Sequence, residues 1–197
     1  AGSCRMTWMN PNYLNIHPIH SRFHSKYSLY LYRDYPWDLE QQASTWKNLD
    51  GKPTIPDYDI KAFQITRLFI PGNAGSFRQI RSIASTTSIT YFDKPQSPRQ
   101  PYRARQHPGL DFFTLDLNDD FSAFHGQTLV EHAEFANDAI RTILSIYQQS
   151  RASLNSHLPL PQSVLIIAHS MGSIVARKML TMSNYLNGSV NTILSLS

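Results

Sequence analysis

A single cysteine, Cys4, excludes an internal disulfide and leaves the redox compartment open. There is no run of 18 or more apolar residues, so no stretch reads as a membrane span, and no signal-peptide pattern is visible. With Ala1 as the first residue, the loss of a preceding segment stays open. Charge is sparse too: 16% of the 197 residues are Asp, Glu, Lys or Arg, and the net charge of +4 is too modest for the length to indicate nucleic-acid binding. What is present is 41% apolar, enough for a sizeable core in a chain that is neither disordered nor fibrous, and one domain is expected.

The chain is organised around residues 163–177. An apolar run rich in β-branched residues, Val164-Leu165-Ile166-Ile167, is too short for a helix. It stops at Ala168, passes through His169 and Ser170, and restarts with helical spacing after Gly172. Strand, tight turn and helix in that order are what a nucleophile elbow needs, because the serine then sits at a strained backbone position with its hydroxyl above the sheet. Strand and helix nearly touch at such a turn, so the positions two before and two after the serine must be small. Ala168 and Gly172 meet that requirement, with Ala168 where glycine is usual. Small-x-Ser-x-Gly alone is a weak signal, and a buried strand followed by a helix with a coincidental serine is the alternative. The elements on both sides favour the elbow.

A second informative stretch is the strand predicted over 63–70, which runs into Pro71-Gly72-Asn73-Ala74-Gly75-Ser76. Gly72 and Gly75 let the backbone approach a ligand, and the segment 77–84 has helical spacing with Ser76 and Gln79 placed as a capping box. In hydrolases with an elbow, one oxyanion-hole amide comes from the loop after the third strand and the other from the residue after the nucleophile. The candidate donors are therefore the amides of Asn73 and Met171. A phosphate cradle is the weaker alternative, since neither a P-loop lysine nor the third glycine of a dinucleotide fingerprint is present.

Elsewhere, residues 1–25 read as irregular, and their His17, His20 and His24 are not expected to bind metal, because Pro18 disfavours a helix that would align them. Residues 27–33 read as a strand and 35–59 as a surface connection. Residues 93–110 form a Pro/Arg-rich excursion; contact with anionic headgroups is conceivable there, but a solvated loop is the preferred reading. Strands are expected at 111–116 and 190–197. An amphipathic helix is expected over 128–148, with Thr128/Glu131 as its capping box and His132 as a core histidine.

These residues carry a resemblance. Pro71 to Ser76, followed by Arg78-Gln79-Ile80-Arg81-Ser82, resembles the P-G-N-A-G-S segment of the GPI inositol-deacylases. Segments Cys4 to Tyr13, Lys26 to Arg33, Asp116 to Gly126 and Ala168 to Arg177 are similar to that family in the same order. The resemblance implies an α/β-hydrolase fold, with a mostly parallel, doubly wound sheet, and a serine esterase that needs no cofactor or metal. Its substrate would be the acyl ester on the inositol of GPI-anchored proteins at the endoplasmic reticulum membrane. The hydrolase domain would face the lumen, with membrane association through segments outside this chain. Ser170 would be the nucleophile.

In this fold the acid and the histidine follow the serine. Neither is found after Ser170, so the chain is expected to hold the front part of a hydrolase domain, 1–197, truncated after the strand that follows the elbow and inactive by itself. His169 is expected to point away from Ser170. Asp116 and His125 are possible pocket residues. Asn187-Gly188-Ser189 is an N-glycosylation sequon in a turn. A general lipase of the same fold, and a truncated non-catalytic chain that binds lipid or a partner, stand as alternatives.

Overall fold

Period-2 and fully apolar runs become strands, and 3.6-period runs become helices, in the computed structural model, which describes residues 11–18, 20–34, 65–93, 110–153 and 160–197. The strands are β1 (Pro11–Ile16), β2 (Ser28–Asp34), β3 (Ile65–Ile70), β4 (Leu110–Asp116), β5 (Val164–His169) and β6 (Val190–Leu196). The helices are α1 (Arg81–Asp93), preceded by a 3-10 turn at Phe77–Ile80, α2 (Gly126–Ser153) and α3 (Gly172–Met179).

The strands form one sheet in the order β1-β2-β4-β3-β5-β6. β2 runs antiparallel to both β1 and β4, whereas β3, β4, β5 and β6 are parallel. Alternation along the strands divides the core. Leu29, Leu31, Leu68, Ile70, Phe113, Leu115, Val164, Ile166 and Ala168 face the side packed by α2 and α3. Tyr32, Phe69, Phe112 and Ile167 face the side packed by Ile80 and Ala84, where α1 begins. Burial on both faces explains why β3 and β5 read as continuous apolar runs rather than alternating ones.

Several expectations change. Residues 1–25 are not wholly irregular: 11–16 form β1, where Leu14 and Ile16 turn into the core against β2, a pairing that Pro11 opens and Pro18 lies beyond. α2 starts at Gly126, so Thr128 and Glu131 do not cap it; the Leu129 amide bonds to His125 O, and Glu131 pairs with Lys26 instead. Ser76 does cap its turn, but onto the Arg78 amide rather than that of Gln79. The connection at 35–59, the excursion at 94–109 and the Cys4 segment up to residue 10 lie outside the described residues.

At the N-terminal end of the parallel strands, Asp111 is fully buried. Its carboxylate accepts from Arg33 (2.8 Å) and from the Tyr147 hydroxyl of α2. Burial, then the Asp111 charge, pushes the Tyr147 hydroxyl well above its ordinary pKa. Two buried charges removed from water need every such bond. Tyr147→Phe is therefore expected to lower the unfolding free energy by about 1–3 kcal/mol, seen as a lower urea midpoint at unchanged m-value. An unshifted midpoint would show that the carboxylate is held without the Tyr147 hydroxyl.

Candidate active site

Chain direction locates the site before any side chain does. After β3 the chain leaves for the face packed by α1, and after β5 it leaves for the face packed by α3. β3 and β5 are neighbours, so their C-terminal ends border the topological switch point where open α/β sheets place ligands. The turn carrying Ser170 and the loop 71–76 both lie there.

Ser170 has φ 50°, in the left-handed region that a residue with a side chain occupies only when its surroundings impose it. The imposing contacts are visible. The Ser170 amide donates to Leu196 O of β6 (2.7 Å), and Ser170 O accepts from the Ser173 amide (2.9 Å) at the start of α3. Gly172 lies directly on the end of β3: a Cβ there would be 2.4 Å from Ile70 O and 2.6 Å from Pro71 O. Ala168 is fully buried, and its carbonyl accepts from Ser173 Oγ. The Ser170 side chain is left exposed above this turn.

The loop after β3 faces the elbow closely. A Cβ on Gly72 would be 3.1 Å from Ser170 Cβ and 3.1 Å from His169 O, and one on Gly75 would be 2.8 Å from Gly72 N. Ala74 takes φ 46°. Its amide donates to Asp120 O (3.1 Å), Gly75 N donates to Gly72 O (3.0 Å), and Asn73 Oδ1 accepts from the Ala123 amide (2.9 Å). Among the described residues no bond occupies the amides of Asn73 and Met171.

Of the other candidates, Asp116 ends β4, two strands from Ser170, and its Oδ1 is engaged by the Asn118 amide (3.0 Å). His125 is exposed just before α2, and no contact joins it to Asp116 or Ser170. His169 was expected to point away from Ser170, and its Nδ1, 3.3 Å from where a Gly72 Cβ would stand, makes no hydrogen bond to it. Asn187 is exposed, in a turn where Gly188 has φ 79°. Among the described residues no three His, Cys, Asp or Glu side chains are grouped to hold a metal, and no helix is long and apolar enough to cross a membrane.

One cluster carries no role in the sequence reading. Asp120 Oδ2 accepts from the Tyr27 hydroxyl (2.9 Å) and pairs with Lys26 Nζ (3.0 Å), which also reaches Glu131 (3.0 Å). His132 Nε2 stands 3.6 Å from the same carboxylate, and its ring meets Tyr27 edge-on. The signal in the sequence was the Asp119-Asp120 pair opposite an isolated Lys26, which nothing but the fold juxtaposes. Desolvation lowers the His132 pKa despite the pull of Asp120. Desolvation also works against the Asp120 carboxylate, but the hydrogen bonds from Lys26 and Tyr27 outweigh it and hold its pKa below the usual value.

With this geometry in view, comparison with known proteins decides the family: residues 61–197 match the PGAP1-like alpha/beta domain. The chain belongs to the PGAP1-like alpha/beta domain family. Three relatives of this PGAP1-like chain are each named GPI inositol-deacylase. That of Kluyveromyces lactis is 47% identical over 197 residues, 98% of this chain and 18% of the relative. That of Phaeosphaeria nodorum is 42% identical over 98% of this chain and 17% of the relative, and that of Neurospora crassa 43% over 98% and 14%. The chain thus spans less than a fifth of the length of these relatives. A lipase solved in its open form aligns over 94% of this chain and 44% of its own at 14% identity and TM-score 0.37. The strand order, the elbow at Ser170 and the family together make this an α/β-hydrolase fold.

Two expectations follow from the geometry. Gly172→Ala should force the helix off the β3 carbonyls, lowering the unfolding free energy by about 1–3 kcal/mol and displacing Ser170; a variant of unchanged thermal midpoint would mean that the turn has slack. For His132, the unfolded chain binds a proton that the folded site resists, so stability is complete above the unfolded value near ~6.5 and falls as pH drops below it toward the lowered folded value. His132→Gln should flatten that part of the stability profile, at most about 1.4 kcal/mol per pH unit, in midpoints measured between neutral and mildly acid pH.

Proposed function

We propose that this PGAP1-like chain supplies the nucleophile and oxyanion hole of a serine esterase that removes the acyl chain from the inositol of GPI-anchored proteins, at the lumenal face of the endoplasmic reticulum membrane. The observation that carries the reading is Ser170 at φ 50° between β5 and α3, facing the loop 71–76. The names of the relatives supply the substrate.

Ser170 Oγ attacks the ester carbonyl as a base takes its proton, the amides of Asn73 and Met171 receive the developing oxyanion, and the inositol oxygen leaves as an alcohol after accepting a proton. Water then attacks the acyl-serine by the same route, releasing the fatty acid and regenerating Ser170. The N-terminal end of α3 favours the negative charge at the same point. In this fold the acid and base follow the nucleophile. Residues 171–197 contain no Asp, Glu or His, so the proposal places both partners further along the protein, and membrane attachment with them.

The test uses the full chain, expressed with whatever flanks these residues in its gene. A fluorophosphonate should label Ser170 and Ser170→Ala should abolish the labelling, while the wild-type protein should release fatty acid from inositol-acylated GPI. Release only from simple lipid esters would replace the substrate proposed here by that of a general lipase. Asn187 is the proposed glycosylation site. An endoglycosidase-sensitive mass shift in a secretory host should disappear in Asn187→Gln, and a wild-type protein with no shift would count against lumenal exposure of this turn.

A further inference from the structure

Resting on that reading, the inference concerns what places the Asn73 amide. The loop closes its own turn across Asn73, with Gly75 N donating to Gly72 O (3.0 Å), but that bond does not engage the Asn73 amide, whose direction depends on what holds the turn from outside. Two bonds from outside the turn flank it, and both are made with the loop between β4 and α2: Ala123 N to Asn73 Oδ1 (2.9 Å) and Ala74 N to Asp120 O (3.1 Å). That second loop is built on turns of its own. Asn118 and Asp119 hold left-handed conformations at φ 58° and 50°, and the Asp120 amide bonds to Leu117 O (3.1 Å). Its anchor is the Asp120 carboxylate, which takes the Tyr27 hydroxyl (2.9 Å) and Lys26 (3.0 Å) from the segment entering β2. A chain of contacts therefore runs from the N-terminal strands of the sheet, through Asp120, to both sides of Asn73.

We propose that the Asn73 side chain and Asp120 are positioning residues that hold the Asn73 amide where the oxyanion forms. Neither needs to touch substrate with its side chain. A loop freed from either tie retains the amide but not its aim, and a displacement on the order of 1 Å costs up to about 10²-fold in rate. Binding of the substrate's remote parts should be untouched.

The experiment measures fluorophosphonate inactivation of the full chain, separating the maximal rate, kinact, from the half-saturating concentration, KI, with thermal midpoints alongside. Asn73→Ala and Asp120→Ala are each expected to lower kinact by about tenfold or more with KI within about twofold. The double variant should be no slower than the slower single, because both act on one amide. Should Asp120→Ala fail to fold, Tyr27→Phe, which removes one bond to the carboxylate and keeps the ring, takes its place with the same expected split. Unchanged kinact in a folded single variant, a change confined to KI, or losses that multiply in the double would each overturn the inference. Labelling that survives Ser170→Ala would instead sink the esterase reading beneath it.

Discussion

The structure depends on one close approach, that of the first turn of α3 to the last residues of β3. Gly172 sits where any side chain would strike the carbonyls of Ile70 and Pro71. Since the helix cannot retreat without unseating Val175, Ala176 and Met179 from the core, the turn before it must be sharp, and Ser170 bears the strain at φ 50°. The contact that tightens the turn also brings the loop after β3 against it, so Ser170 and the loop facing it share one origin. Strain of this kind persists only when packing over-determines it. Here a β6 carbonyl and the first bond of α3 hold Ser170 itself, while the carbonyls of Ile70 and Pro71 press on Gly172 two residues later.

Around that point the sheet works as a two-sided scaffold. Opposite exits from β3 and β5 open the switch-point crevice, while the antiparallel β1 and β2 bring Lys26 and Tyr27 near the C-terminal end of β4. The antiparallel strands thus contribute more than edge coverage. They anchor, through Asp120, a loop that reaches the site from a strand two places away. The second polar network, Asp111 with Arg33 and Tyr147, sits at the opposite end of β4 and ties β2 to α2. The two networks brace the same strand at its two ends.

Much was legible without coordinates, wherever a local pattern had a local cause. The strand before Ser170 and the helix after it followed from a short apolar run bounded by small residues. The long helix showed itself by period, although it begins at Gly126, because the capping pattern at Thr128 competed with a helix that needed no box. β1 was missed, since six residues that begin with a proline carry a weak alternation and their place in the sheet comes from pairing with β2.

By itself the sequence determined the elements from β2 onward, the position of the elbow and the small residues it requires, because these depend on neighbours within a few positions. Only the tertiary structure decided that β3 would lie between β4 and β5, that Lys26 and Tyr27 would meet Asp120 about 90 positions away, and that Asn73 would be held from Ala123. Those pairings are between polar groups far apart in the chain. No periodicity records them, because a hydrogen bond is specified by distance and direction in space, and both exist only once the sheet has formed.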